Sequence, residues 1–242
     1  MMSEVHVHGV ATEDARAAIE GAGARAVAHG GLVAIVTDAA AETRAAALMR
    51  RHWDVLEAVA ATATVVPVQF GTAMAGDETV ATEFLAPRRE QLVAQLAALD
   101  GKVLLSVKGA YDEPRLLRAV VEGSPAVARL RERVRGLSEA AGRNERIRLG
   151  ELVASEVDRL REHDAGRLHA QLDPLAVAAS REPAGGLQTA VNSAFLVERA
   201  RTAEFAEALD AAAEELGDRV ELRLLGPLPP YSFVSEEEHA WA

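Results

Sequence analysis

The sequence predicts an α+β fold: two α/β-layered domains with a helical connecting region. Three observations carry that expectation. Hydrophobic periodicity switches repeatedly between 2 and 3.6 residues along the 242 positions. Strand–helix–strand units with hairpin-like pairs occur in both halves, a ferredoxin-like plan. From about Asp112 to Leu172 the pattern is helical. The division expected is an N-terminal α+β domain, residues 1–112, then a helical segment with a C-terminal domain and tail, residues 113–242.

Val5-His6-Val7-His8 alternates as a half-buried strand does. Ala24 to Ala28 reads as a second strand, ended by Gly30-Gly31. Leu32 to Val36 is a short, continuous apolar run, as in a central strand covered on both faces. From Glu42 to about Ala61 the period becomes helical. Leu48, Met49, His52, Val55, Leu56 and Val59 then share one face, with Arg50, Asp54 and Glu57 opposite. Val65 to Phe70 reads as a strand, with Pro67 at a sheet edge or strand end. Leu85, Leu92, Leu96 and Leu99 line a helix that Pro87 starts or kinks, and Asp100-Gly101 ends it. Val103, Leu105 and Val107 alternate with Leu104, Ser106 and Lys108 in another strand.

The second half opens with helices. Pro114 suits a first helical turn, Ser124-Pro125 a fresh start, and Asn144 the cap of a long helix. The stripe of that helix is Leu149, Leu152, Val153, Val157 and Leu160. Asp173-Pro174 and Pro183 to Gly186 punctuate the chain before a strand around Val191 to Val197. Thr202 caps a helix that turns Phe205, Leu209, Ala212 and Leu216 inward, and Gly217 stops it. Val220, Leu222 and Leu224 alternate again. Gly226 to Val234 is the last ordered piece, before Glu236-Glu237-Glu238.

Composition narrows the function classes. With 49% hydrophobic and 26% charged residues a sizeable core can form, but 4% aromatics mean that Ala, Val and Leu must build it. The absence of cysteine removes disulfides, thiolate ligands and a Cys nucleophile together. A net charge of −11, with no basic stripe interleaved with stacking residues, argues against nucleic acid as a partner. No run reaches the roughly 18–20 apolar residues of a membrane span, and the N-terminus lacks a signal-length apolar stretch. A cytoplasmic location is expected.

Little in the chain points to catalysis. Gly21-Ala22-Gly23-Ala24-Arg25-Ala26 matches a nucleotide fingerprint in letters, but a helix precedes it and a strand follows, the reverse of the working order. A plain turn is the expectation. His6 and His8 lie two apart on a strand and, with His29, could hold a transition metal; a histidine pair on a half-exposed face is the simpler reading. His52 sits mid-stripe as a core imidazole, and Glu156 has Arg159 and His163 within reach for an ion pair. A metal- or small-molecule-binding enzyme or sensor built on these groups is the competing class. Signatures such as G-x-S-x-G, a P-loop or H-E-x-x-H do not occur.

Three segments carry more. They are His52-Trp53-Asp54-Val55-Leu56-Glu57 leading into Val66-Pro67-Val68-Gln69-Phe70-Gly71, then Asn192-Ser193-Ala194-Phe195-Leu196-Val197, then Gly226-Pro227-Leu228-Pro229-Pro230-Tyr231-Ser232-Phe233. In this order and spacing they resemble the GvpL/GvpF family of gas vesicle proteins, a likeness spanning nearly the whole chain. Leu149-Gly150-Glu151-Leu152 and Tyr111-Asp112-Glu113 are similar to that family's connecting region. The chain departs from the family pattern at Leu228, where Trp is common, and at His6 and His8, where aromatic character is. The resemblance implies two α+β domains, the C-terminal one a modified ferredoxin-like fold. It further implies an accessory or minor component needed for gas vesicle formation, with no enzymatic activity and no cofactor. The partners implied are the small apolar shell protein and other gas vesicle proteins. Candidate protein-binding residues are Pro67, Phe70, Gly71, Asn192, Phe195, Pro229, Pro230, Tyr231 and Phe233. The proline-rich tail has two readings: a polyproline strip that a partner recognises, or an intramolecular clamp with Tyr231 and Phe233 packed on the second domain's sheet. The scarcity of aromatics favours the clamp.

Overall fold

A computed structural model describes residues 4–39, 44–139 and 141–234. The described residues form two compact units, those from 4 to 105 with 196–200 and 226–234, and those from 106 to 195 with 201–225.

The first unit is built on β1 (Val5–Thr12), α1 (Arg16–Gly21), β2 (Arg25–His29), β3 (Leu32–Asp38), α2 (Ala45–Ala60), β4 (Val66–Pro67) and β5 (Ala73–Met74). Its sheet runs β2-β3-β1-β4, with β5 also on β1, and the pairs on β1 and β3 are antiparallel. β1 is thus central, and seven of its eight residues are buried or half-buried, against the half-buried alternation that the sequence suggests. The cause is a bulge: register shifts between Val7 and Gly9, so His8 has no opposite number on β3. Gly9 follows because a Cβ there would lie 2.9 Å from both Leu56 Cδ2 and the Val66 carbonyl oxygen. α1 and α2 pack together over one face, and Ile19, Val33, Ile35, Val55, Leu56 and Val59 form the core beneath. Gly23, at φ +68, makes the turn from α1 to β2, as the reversed fingerprint requires.

Pro67 occupies the short edge strand β4, and the chain beyond it leaves the sheet, so the strand expected over residues 65–70 shrinks to two residues. α3 (Asp77–Thr79) continues through a π-helical stretch, Val80–Leu85, and a 3-10 turn, Ala86–Arg88, into α4 (Arg89–Leu99). Pro87 sits in that turn and resets the helix. Leu92, Leu96 and Leu99 are buried as their spacing foretells.

The second sheet comprises β6 (Lys102–Tyr111), β7 (Ala178–Arg181), β8 (Thr189–Glu198) and β9 (Val220–Leu228), in the order β7-β8-β6-β9. Between β6 and β7 come α5 (Glu113–Gly123), α6 (Pro125–Arg135) and α7 (Arg143–Leu172), and between β8 and β9 comes α8 (Thr202–Leu216). This is the ferredoxin-like strand order with the first crossover helix expanded to three. Asp112 caps α5, accepting from the Arg115 backbone N–H at 2.9 Å. α7 begins at Arg143, after Gly142, so Asn144 lies inside its first turn and is not the cap expected. Its apolar stripe is shallow at Leu149 to Val153. The helix reaches full burial at Val157, Asp164, Leu168, His169 and Leu172. Phe205, Leu209, Ala212 and Leu216 of α8 are all buried.

Asp164 is fully buried and doubly bonded, accepting from Arg219 Nη2 at 2.7 Å and from the Tyr111 hydroxyl at 2.8 Å. Burial, then the Asp164 carboxylate, push the Tyr111 phenol up. Removing one member of such a pair leaves a charge in a low-dielectric interior. Asp164→Ala is therefore expected to cost about 3–5 kcal/mol in denaturant unfolding, whereas Glu162→Ala, at an exposed pair, costs under about 1 kcal/mol.

Candidate functional site

His8 stands on the bulge of β1 and His52 in the middle of α2, and both are almost fully buried. Their Nδ1 atoms lie 3.0 Å apart. His8 Nε2 is 2.8 Å from the Thr37 hydroxyl on β3, and His52 Nε2 is 2.6 Å from the hydroxyl of Tyr231 in the tail. That hydroxyl also lies 3.0 Å from the carbonyl oxygen of Val68.

A carbonyl can only accept, so Tyr231 must donate to Val68, and the remaining protons follow. His52 Nε2–H donates to Tyr231, His8 Nδ1–H donates to the bare Nδ1 of His52, and Thr37 donates to Nε2 of His8. The relay is satisfied at every atom with both rings neutral. Burial first, then the neighbouring His52, His6 and Arg51, depress His8 to about 3. Burial likewise depresses His52 to about 4.

Above the relay lies an aromatic face. Trp53 packs 5.0 Å from Tyr231, and Phe70 stands edge-on to His52 at 5.6 Å. Trp53 is 44% exposed, Phe70 37% and Met49 48%. The helical spacing assigned Met49 to the core side; it sits at the rim of the stripe and faces solvent. Gly71, at φ +95, turns the chain after Phe70, and the Thr72 backbone N–H and hydroxyl both bond to the Gln69 carbonyl. The recess between His6, His8, Arg51, His52, Phe70 and Thr72 holds about 50 Å³, room for a water or two.

Of the nine candidates from sequence, Pro67, Phe70, Gly71 and Tyr231 surround this relay. Pro229 and Pro230 are buried in the same unit, and Phe233 is half-buried on the turn that Tyr231 opens. The tail therefore clamps, but onto the first unit: Tyr231 packs against the cluster of Ile19, Val55 and Val59, not on the second domain's sheet. A solvent-facing polyproline strip is not formed. Asn192 and Phe195 lie in the second unit. The Asn192 side chain donates to the Pro183 carbonyl at 3.0 Å, and Phe195 packs between His169 and Phe205. Sequence reasoning missed the pairing of His8 with His52 and the exposure of Trp53. The available signal was that five of the nine Phe, Trp and Tyr residues fall within the three informative segments.

One other cluster has the geometry of chemistry without its access. His169 Nδ1 is 2.8 Å from Asp173 Oδ1 and its Nε2 is 3.0 Å from Ser193 Oγ, the bond pattern of a hydrolase triad. Ser193 is 2% exposed while the Asp173 side chain is 53% exposed, so the nucleophile position is sealed and the acid is open. That inverts a working site. Glu156 pairs with Arg159 at 2.8 Å and accepts from Ser124 at 2.9 Å, the ion pair expected of it, and these bonds lower its pKa. Among the described residues no group of three or more metal-ligating side chains converges, and no helix is long and apolar enough to cross a membrane.

Unfolded histidines take up protons near pH 6.5 while the folded pair resists until about 4 and 3. The unfolded state thus binds more protons in that interval, and stability falls as pH drops from 6.5 through those values. Urea melts across this range should show the loss, and His8→Gln with His52→Gln should flatten it. Tyr231→Phe removes the hydroxyl that bridges His52 Nε2–H and the Val68 carbonyl and is expected to cost about 1–3 kcal/mol at pH 7.

The family description "Gas vesicle synthesis protein GvpL/GvpF" matches residues 5–235. Gas vesicle protein F of Streptomyces sp. (strain CB03234) is 35% identical over 217 residues, 87% of each chain. Gas vesicle protein L of the same strain is 32% identical over 200 residues, 78% of this chain and 70% of that one. The crystal structure of GvpF from Anabaena sp. PCC7120 superposes with a TM-score of 0.76 at 23% identity, covering 96% of this chain and 98% of the other. GvpF from Microcystis aeruginosa gives 0.71 at 21%, with the same coverage. At such identity these two structures speak for the fold alone. A match over almost the whole sequence, with relatives above 30%, means that the chain belongs to the GvpL/GvpF family of gas vesicle synthesis proteins.

Proposed function

We propose that this protein serves gas vesicle formation as a cytoplasmic, non-catalytic binder of other gas vesicle proteins, and that its aromatic face receives the apolar shell protein. Relatives named gas vesicle protein F and L support the general role. The observation that carries the finer reading is the exposed set Met49, Trp53 and Phe70 on a foundation of buried, fully bonded histidines.

Trp, Met and aromatic anchors set on a rigid base are what a protein-docking centre needs, since little side-chain entropy remains to be lost. A small, very apolar subunit self-associates through exposed patches and strand edges. Covering those surfaces with a chain of net charge −11 keeps the complex dispersed until delivery. The relay's recess is too small for a substrate, which leaves its histidines a supporting part.

Purified full-length chain immobilised on beads is expected to capture the shell protein at micromolar concentration. Trp53→Ala with Phe70→Ser should weaken capture at least about tenfold, as loss of a hot spot does. The melting temperature should move by only a few degrees, because both side chains are partly exposed. Undiminished capture by that variant sinks the assignment of the face, and no capture by the wild type sinks direct binding.

A further inference from the structure

Charge is spread very unevenly. Between Arg129 and Arg148 there are seven arginines against three glutamates, a net of +4 in a chain of −11, leaving −15 for everything else. The stretch covers the end of α6 and the start of α7, which pack side by side, and all seven arginines are exposed. Arg135 pairs with Glu132 at 2.8 Å, Arg133 reaches Glu145 at 4.0 Å, and Arg146 donates to the Glu139 and Leu137 carbonyls. Arg129, Arg131, Arg143 and Arg148 have no ion pair or hydrogen bond among the described residues.

The contact of Arg133 with Glu145 shows which side of α6 lies beside the start of α7. Arg129, one turn before Arg133, shares that side with it, whereas Arg131, two residues off, projects from the other flank. Ile147 is 54% exposed and lies one turn from Arg143 on the same face. The N-terminal dipole of the 30-residue α7 adds to the positive potential there.

We propose that this α6–α7 face binds a short carboxylate-rich segment of a partner protein, with one apolar residue of that segment on Ile147. Guanidinium groups match carboxylates in plane and by paired hydrogen bonds, and Arg129, Arg143 and Arg148 stand unengaged on this side of the helix pair. Nucleic acid fits the face poorly. No aromatic residue occurs from Asp112 to Leu172 to stack on a base, and the −15 of the remaining chain repels a long polyphosphate. A short acidic peptide avoids that repulsion. The surface is separate from the Trp53 face and its fate does not depend on that assignment.

The probe is a fluorescent peptide of alternating glutamates with a central leucine, titrated with full-length protein by anisotropy. Saturable binding is expected with a Kd below about 100 µM at about 20 mM salt. At about 200 mM salt it should weaken about tenfold or more. Arg129→Gln, Arg143→Gln and Arg148→Gln together should abolish it with an unchanged circular dichroism spectrum, Arg131→Gln on the opposite flank should change it little, and Ile147→Ser should weaken it severalfold. Absence of saturable binding at low salt overturns the proposal, as does equal binding by the triple variant. Tighter binding of a duplex oligonucleotide than of the peptide overturns it in favour of nucleic acid. Salt-sensitive self-association in sedimentation, lost in the triple variant, overturns it in favour of a second copy.

Discussion

One run of hydrogen bonds, from Thr37 through His8 and His52 to Tyr231 and the Val68 carbonyl, governs how the first unit is put together. Every member is polar and most are buried, so each is tolerable only because the next is present. The constraint explains local oddities that would otherwise look unrelated. The bulge in β1 aims His8 at α2. Gly9 lets that helix and β4 come close, and the Val68 backbone N–H is held by the His8 carbonyl at 2.9 Å. A chain with so few aromatics commits Trp53, Phe70 and Tyr231 to this one place.

Elements with strong periodicity were legible. The stripe of α8 and the lower stripe of α2 bury as their spacing requires, because a single apolar face leaves the helix one way to sit. Short or irregular pieces were not. β7 has four residues with no apolar run, and the π and 3-10 turns from Val80 to Arg88 share the letters of an ordinary helix. Met49 shows the limit of an angular argument, since a residue at the margin of a stripe goes inward or outward according to what lies opposite. The candidate site was half visible. Local turn chemistry marked Pro67 and Gly71, and the proline-rich tail marked Tyr231. The joining of positions 8, 52 and 231 is a matter of tertiary distance, on which periodicity is silent.

Both sheets share one plan. Each unit's strands follow in the order second, third, first, fourth, with a helical crossover after the first and after the third. The sequence shows no repeat because the two copies of the plan bury different things: a histidine pair under α2 in one, and a salt-bridged aspartate and a stacked Phe195 in the other. Topology constrains hydrophobic pattern, not identity, and the pattern of short strands can be met by many residues.

The return of residues 226–234 to the first unit has a bearing on synthesis. Translation delivers His8 and His52 first, and the phenol that completes their bonding follows His52 by 179 residues. Until then the His52 ring lacks the hydroxyl that its Nε2–H meets in the finished fold. A chain interrupted anywhere before that point keeps an open polar end inside its first-made half, so its half-built core is marked as unfinished for the cell's chaperones and proteases.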